Sequence, residues 1–105
     1  MRSDKYILRY LPKYEKDLNE IVDYISLKLH NPESALRLVD KVEKAIVDRL
    51  TCPTSFEPFQ SLKKRRNPYY RIYVDNFTIY YVVINNVMEV RRILYNKRDA
   101  YQIMK

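Results

Sequence analysis

The C-terminal stretch RRILYNKRDAYQIM, residues 91–104, concentrates side chains that could hold an anionic group. It contains four cationic residues and two tyrosines among a few aliphatic residues: Arg91, Arg92, Lys97, Arg98, Tyr95 and Tyr101. A guanidinium is costly to bury without a partner, so a core does not explain this cluster. We therefore predict that the cluster binds a macromolecule.

The charge of the chain is distributed unevenly along its length. Residues 1–60 hold ten Lys/Arg and ten Asp/Glu, whereas residues 61–105 hold ten Lys/Arg and three Asp/Glu, so the whole net charge of +7 lies in the second part. This asymmetry favours an anionic partner, either a nucleic acid or an acidic protein segment. A basic strip within the predicted loop 52–68 adds to it, with Lys63, Lys64, Arg65 and Arg66.

Composition excludes several other kinds of site. Cys52 and His30 are the single cysteine and the single histidine, and the chain has no glycine. No disulfide, cysteine- or histidine-rich metal centre, glycine-rich phosphate loop or cofactor is therefore expected. No run of about 18 apolar residues and no leader pattern is present, so we expect a single cytosolic domain over residues 1–105 with no membrane partner.

Periodicity predicts a short strand, a pair of helices and then three strands. A strand at 5–11 precedes a helix whose apolar stripe is Leu18, Ile21, Val22, Ile25 and Leu29. Asn31-Pro32-Glu33 marks the start of a second helix, for which the predicted stripe is Leu36, Val39, Val42, Ile46 and Leu50. Strands are predicted at 69–74, 77–84 and 87–94, and Asp99 with Gln102 predicts a short helix over 100–104.

Two-residue turns at 75–76 and 85–86 determine how the three strands face each other, since Asp and Asn tolerate positive φ. Alternation then assigns one face to the helices, comprising Tyr70, Ile72, Val74, Phe77, Ile79, Tyr81, Val83, Met88, Val90 and Leu94. The other face is predicted to hold Tyr69, Arg71, Tyr73, Thr78, Tyr80, Val82, Glu89, Arg91 and Ile93. On this second face Arg71, Tyr80 and Arg91 are expected side by side and uncovered. Arg92 is expected to point inward, where a helix carboxylate or a β-bulge would accommodate it.

The ordered motifs resemble the RelE/ParE toxin superfamily of type II toxin–antitoxin modules, which includes plasmid-stabilisation proteins. The resemblance is carried by DLNEIVDYI (17–25), NPESALRLVDKVEKAI (31–46), YYRIYVDNFTIYYVV (69–83) and VRRILYNKRD (90–99). It implies an α+β fold of order β-α-α-β-β-β, with an antiparallel sheet, a helical hairpin on one face and a short C-terminal helix. It also implies that a cognate antitoxin neutralises the protein. The expected assembly is a homodimer of this chain or a heterotetramer with the antitoxin.

Two activities occur within this superfamily, and a third function remains an alternative. ParE-like members inhibit DNA gyrase by binding, whereas RelE-like members cut mRNA on the ribosome. A non-toxic nucleic-acid-binding domain of the same fold is the alternative from another class. We favour the ParE-like activity, because Thr78 stands where the nucleases have an arginine in the third strand.

The resemblance also assigns expected site residues. If the chain were a ribonuclease, Arg71, Arg98 and Tyr101 would occupy catalytic positions. Target or antitoxin binding is expected of the basic strip and of a second group made up of Tyr80, Arg91, Arg92 and Tyr95.

Overall fold

A computed structural model describes residues 5–58 and 66–96 of the chain. Its elements follow the predicted order: β1 Ile7–Tyr10, α1 Pro12–Asp23, a π-helical turn Tyr24–Lys28, α2 Pro32–Arg49, β2 Tyr70–Val74, β3 Phe77–Ile84 and β4 Val87–Tyr95. The helix predicted at 100–104 lies outside the described residues. No helix within the described ranges is both long and apolar enough to cross a membrane.

The two helices begin where their sequence signals predict. Pro12 occupies the first turn of α1, and the Asn31 side chain accepts a 3.1 Å hydrogen bond from the backbone N–H of Ser34 at the start of α2. The stripe predicted for α2 is wrong at its first position, because Leu36 is exposed while Leu38 is buried. Two residues along a helix correspond to about 200° of rotation, so these two leucines lie on opposite sides.

The end of the first helix has a shape that periodicity did not predict. After Asp23 the chain makes a π-helical turn, in which the Leu29 N–H donates to the Tyr24 carbonyl at 3.1 Å. His30 then adopts a positive φ of 52°. The turn leaves Tyr24 and Leu29 largely exposed at the tip of the helical hairpin.

The sheet has the order β1-β4-β3-β2 and is mixed. β2, β3 and β4 form the predicted antiparallel meander, with Asp75 and Asn85 at positive φ in the two turns. β1, in contrast, pairs with β4 in parallel, so the expectation of a wholly antiparallel sheet is wrong for this strand. The two local turns determine how β2, β3 and β4 pair. The position of β1 beside β4 depends instead on the helical hairpin that follows β1.

A β-bulge in β4 changes which residues reach each face. Tyr81 pairs with Val90 as predicted, but the neighbouring Tyr80 pairs with Arg92, so Arg91 is the extra residue. Beyond the bulge Ile93 packs into the helix-side core and Leu94 packs on the opposite side, which reverses the predicted assignment of these two residues.

Both faces of the sheet carry buried side chains. On one face the helices cover a core that includes Tyr14, Leu38, Val42, Ile46, Ile72, Ile79, Tyr81, Met88 and Val90. We call the opposite surface the second face, and its buried cluster consists of Tyr69, Tyr80, Val82 and Leu94. The helical hairpin therefore occupies one face of the sheet, as predicted.

Candidate functional site

The predicted row of cations on the second face forms only in part. Arg71 and Tyr80 are direct partners across β2 and β3, as expected. The bulge removes Arg91 from the position opposite Tyr80 and puts Arg92 there. The three residues therefore do not lie side by side as the alternation predicted.

Tyr80 is buried, which contradicts the expectation of an uncovered aromatic between two cations. Its side chain is only 5% exposed and packs edge-on against the Tyr69 ring at 6.3 Å between centroids. Burial raises the pKa of Tyr80, and the nearby charge of Arg71 opposes that rise. Tyr80 therefore packs within the buried cluster of the second face.

Tyr73 is the aromatic side chain that the second face exposes instead. It lies two residues after Arg71 on β2, and 63% of its surface is accessible. The Arg71 guanidinium carbon is 5.7 Å from the centre of the Tyr73 ring, within reach of a cation–π interaction. The sequence placed Tyr73 on this face, but its exposure depends on the tertiary packing.

Arg92 is engaged in an ion pair with the first helix. Its Nε and Nη2 atoms donate to the Asp17 carboxylate at 2.7 and 2.9 Å, and hydrogen bonding to Asp17 is the main reason that the pKa of Arg92 is raised. The pair is mostly shielded, since the two side chains are 16% and 11% exposed. Of the two predicted alternatives, a helix carboxylate or a bulge, the helix carboxylate is the one that accommodates Arg92, and a bulge is present beside it at Arg91.

A second charge cluster joins β1 to β4 on the second face. Arg9 and Glu89 are partners in the parallel strand pair, and the Nε and Nη2 atoms of Arg9 each lie 3.1 Å from Oε1 of Glu89. Arg91 Nε donates to the other carboxylate oxygen at 2.8 Å. We call Arg9, Glu89 and Arg91 the arginine fork. Arg9 is not among the site residues predicted from the sequence, because nothing local to β1 indicates that it pairs with β4.

The aromatic ring of Tyr69 borders the arginine fork. Nη1 of Arg91 is 3.5 Å from the Tyr69 hydroxyl, and its guanidinium carbon is 5.8 Å from the ring centre. Burial alone would lower the pKa of Arg91, but hydrogen bonds to Tyr69 and Glu89 raise it. Arg91 therefore stays charged at every physiological pH.

Hydrogen bonds among Arg49, Tyr81 and Pro53 fix the start of the loop that follows α2, and we call these three residues the latch. The Tyr81 hydroxyl accepts from Arg49 Nη1 at 2.8 Å and donates to the Pro53 carbonyl at 2.7 Å. Arg49 also donates to the Arg71 carbonyl at 3.1 Å, and its guanidinium carbon lies 3.6 Å from the centre of the Phe56 ring. The latch couples the end of α2 to the strand that carries Arg71.

A groove with a volume of about 700 Å³ runs between the helical hairpin and the ends of β3 and β4. Apolar side chains dominate its lining: Ile21, Tyr24, Ile25, Leu29, Phe77, Ile93, Leu94 and Tyr95. Asp17 and Glu20 supply the acidic part of the lining. Tyr95, one of the predicted site residues, is 41% exposed here and packs against Phe77 at 5.6 Å.

Comparison with known proteins identifies the family. The model of the "ParE toxin of type II toxin-antitoxin system, parDE" matches residues 8–100, which is most of the chain. The chain belongs to the ParE toxin family. It is accordingly the toxin component of a type II toxin–antitoxin system, and an antitoxin is its implied partner.

Two solved structures resemble this ParE-family toxin. A chain of the chromosomal ParDE toxin–antitoxin system from P. aeruginosa superposes with a TM-score of 0.67 at 19% identity, covering 89% of this chain and 98% of that one. At this identity the likeness shows a shared fold. A chain of the archaeal RelE–RelB complex from Pyrococcus horikoshii OT3 gives a TM-score of 0.44 at 18% identity, covering 90% and 99%. No curated protein sequence matches the chain.

Of the positions that a ribonuclease of the superfamily would use, some lie within the described residues of this ParE-family toxin and others lie outside them. Thr78 is 4% exposed, and its hydroxyl donates to the side-chain carbonyl of Asn96. Arg71 is half-buried on β2. Arg98 and Tyr101 lie outside the described residues, as do Lys63, Lys64 and Arg65 of the basic strip. Arg66 is described and exposed.

Metal-binding side chains do not gather anywhere in the described part of this ParE-family toxin. Over residues 5–58 and 66–96, no three His, Cys, Asp or Glu side chains converge in a way that could hold an ion.

Proposed function

We propose that this ParE-family toxin arrests growth by binding DNA gyrase rather than by cutting mRNA. The observation that carries the proposal is the environment of Thr78, which is buried and hydrogen-bonded to Asn96. A nuclease needs a cation there to hold the crowded phosphate in the transition state. A neutral, buried hydroxyl cannot supply that charge.

The buried tyrosines of the described residues are also poorly suited to act as a general base. The best base at neutral pH has a pKa near 7, and burial raises the pKa of Tyr10, Tyr14, Tyr80 and Tyr81 away from that range. His30 lies on the helical hairpin, at the turn before α2. Binding therefore explains these residues better than acid–base catalysis does.

The second face is the surface that we assign to the target. It presents the exposed Tyr73 beside Arg71 and carries the arginine fork at its other edge. Exposed aromatic and arginine side chains are the types that contribute most to protein interfaces. The excess positive charge of the chain steers an anionic target toward such a surface.

We assign the apolar groove to the antitoxin. A soluble monomer rarely leaves a contiguous apolar surface uncovered, and exposed patches of this kind mark sites of protein association. Tyr24 and Leu29 are 56% and 54% exposed on one wall of the groove. The family supplies a protein partner, and the groove offers that partner a site whose lining shares Leu94 alone with the buried cluster of the second face.

A pair of assays distinguishes the two mechanisms. The purified toxin is added to a gyrase supercoiling reaction and, separately, to ribosomes translating a defined mRNA. Loss of supercoiling with intact mRNA is the expected result. Defined cuts in the ribosome-bound message with normal supercoiling would show that the toxin is a ribonuclease, and growth unaffected by its expression would contradict toxicity.

A further inference from the structure

The arginine fork holds more positive charge than its own carboxylate neutralises. Glu89 is 7% exposed, and a carboxylate at that depth requires a charged partner. One guanidinium would neutralise it, but both Arg9 and Arg91 are bound to it, one at each oxygen. One unit of positive charge is therefore left over at the edge of the second face.

Part of the hydrogen-bonding capacity of the fork is also unused. A guanidinium has five N–H donors. Among the described residues, no acceptor lies within hydrogen-bonding distance of Nη1 of Arg9 or Nη2 of Arg91. The Arg9 side chain is 53% exposed and the Arg91 side chain 30%. As far as the described residues are concerned, these donors are thus open to an anion arriving from solvent.

Glu89 holds both guanidiniums in place before any ligand binds. The strand pairing sets Arg9 directly across from Glu89, and Arg91 lies two residues further along β4. The hydrogen bond to the Tyr69 hydroxyl also restrains Arg91. Preorganised donors lose less conformational entropy on binding than free side chains do.

We propose that Arg9 and Arg91, held on either side of Glu89, form a binding site for a backbone phosphodiester of nucleic acid. A phosphodiester carries a single negative charge, which equals the charge left over in the fork, and guanidinium N–H groups suit its oxygens. The exposed Tyr73 and its neighbour Arg71 on the same face can stack on a base and contact a further phosphate. These neighbours favour nucleic acid over an acidic peptide. The proposal does not depend on gyrase being the target.

Fluorescence anisotropy with a labelled single-stranded oligonucleotide tests the site in the absence of gyrase and ribosomes. Arg9→Gln is compared with Arg37→Gln, which removes the same charge from an exposed arginine of α2. We expect Arg9→Gln to raise the Kd about five- to tenfold and to reduce the slope of log K against log salt by about 0.7, the value for one phosphate contact on a single strand. Arg37→Gln should change the Kd less than about twofold.

Arg9→Lys separates the fork geometry from net charge. Lysine keeps the charge and can still pair with Glu89, but it lacks the planar set of donors. We expect a loss in affinity of about threefold with an unchanged thermal unfolding midpoint. If Arg9→Gln does not fold, the comparison of Arg9→Lys with the wild type tests the proposal.

Three results would overturn the proposal. The first is a wild-type protein that does not bind the oligonucleotide. The second is equal weakening by Arg9→Gln and Arg37→Gln, or unchanged binding in Arg9→Lys, because either would show a general charge effect. The third is a poly-glutamate peptide of equal charge that competes as well as unlabelled oligonucleotide, because it would show that the fork takes carboxylates. None of the three results measures gyrase, so each can occur whether or not the toxin inhibits supercoiling.

Discussion

The carboxylate of Asp17 and the guanidinium of Arg92 form a double hydrogen bond, with distances of 2.7 and 2.9 Å. The pair lies beside the part of β4 that extends beyond the end of β1. β1 ends at Tyr10, so at Ile93 β4 pairs with β3 on one side and, among the described residues, has no strand on the side where β1 lay. The backbone N–H of Ile93 donates to the same carboxylate at 3.2 Å. Asp17 thus takes the place of a strand and attaches the helical hairpin to the sheet edge.

Asp17→Asn is expected to destabilise the protein substantially. Removing one member of a shielded ion pair leaves the other charge uncompensated, and the partial exposure of this pair limits the cost to about 2 kcal/mol. Urea unfolding measures the free energy of unfolding. Lys44→Gln, in the exposed pair of Lys44 with Asp48, is the control and should cost less than about 0.5 kcal/mol. Equal effects of the two variants would show that the Asp17 pair has no special role.

Tyr81→Phe should weaken the latch at the start of the loop after α2. The change removes a hydroxyl that both accepts from Arg49 and donates to the Pro53 carbonyl, and it should cost about 1–3 kcal/mol. Tyr70→Phe is a matched control, because Tyr70 stacks on Tyr81 at 5.3 Å and should tolerate the change within about 0.5 kcal/mol. Urea unfolding supplies both values. Similar stabilities for the two variants would argue against the latch.

Stability should fall at alkaline pH because of buried tyrosines. Burial is the main reason that the pKa of Tyr14 in the folded protein lies well above its ordinary value of 10.0. A raised pKa means that Tyr14 contributes fully to stability below pH 10 and that this contribution is lost as the pH rises above 10, where the unfolded chain binds fewer protons. Each such tyrosine adds a slope of up to about 1.4 kcal/mol per pH unit.

Tyr14→Phe isolates this contribution. At pH 7 the variant should match the wild type within about 1 kcal/mol, since phenylalanine fills nearly the same volume. Between pH 10 and pH 11.5 its stability should decline less steeply, by about 1 kcal/mol per pH unit. Urea titrations at a series of pH values give both slopes, and identical slopes would mean that Tyr14 ionises as easily in the folded state.

Tyr73→Ala should reduce target inhibition without affecting the fold. Tyr73 is 63% exposed, so its removal should change the free energy of unfolding by less than about 0.5 kcal/mol. Loss of an aromatic contact worth about 1 kcal/mol should raise the concentration needed for half-inhibition of gyrase about fivefold. Leu36→Ala, at an exposed site on α2, is the control and should inhibit like the wild type. Full activity in Tyr73→Ala would remove Tyr73 from the proposed surface.

Leu29→Glu should separate antitoxin binding from toxicity. A charge on the apolar wall of the groove should weaken antitoxin binding about tenfold or more and leave gyrase inhibition unchanged. Isothermal titration with the protein encoded in the reading frame next to the toxin's own measures the affinity. Leu36→Glu, outside the groove lining, should bind normally. Unchanged binding by Leu29→Glu would place the antitoxin elsewhere.

Sequence patterns alone determined the element order and the register of the meander as far as the bulge in β4. The signals involved are local: Asn31 caps α2 through a neighbour three residues away, and Asp75 and Asn85 adopt the positive φ that two-residue turns require. Because both turns have two residues, the pairing of β2 with β3 and the first half of the pairing of β3 with β4 follow directly.

The tertiary structure decided which charged side chains are paired and which aromatic is exposed. β1 and β4 are separated by about 80 residues of chain, so only packing could show that Arg9 faces Glu89 in a parallel pair. The bulge at Arg91 reversed the faces of Ile93 and Leu94, because one extra residue shifts all later side chains to the other side. Local periodicity contains neither fact, since both depend on contacts between distant parts of the chain.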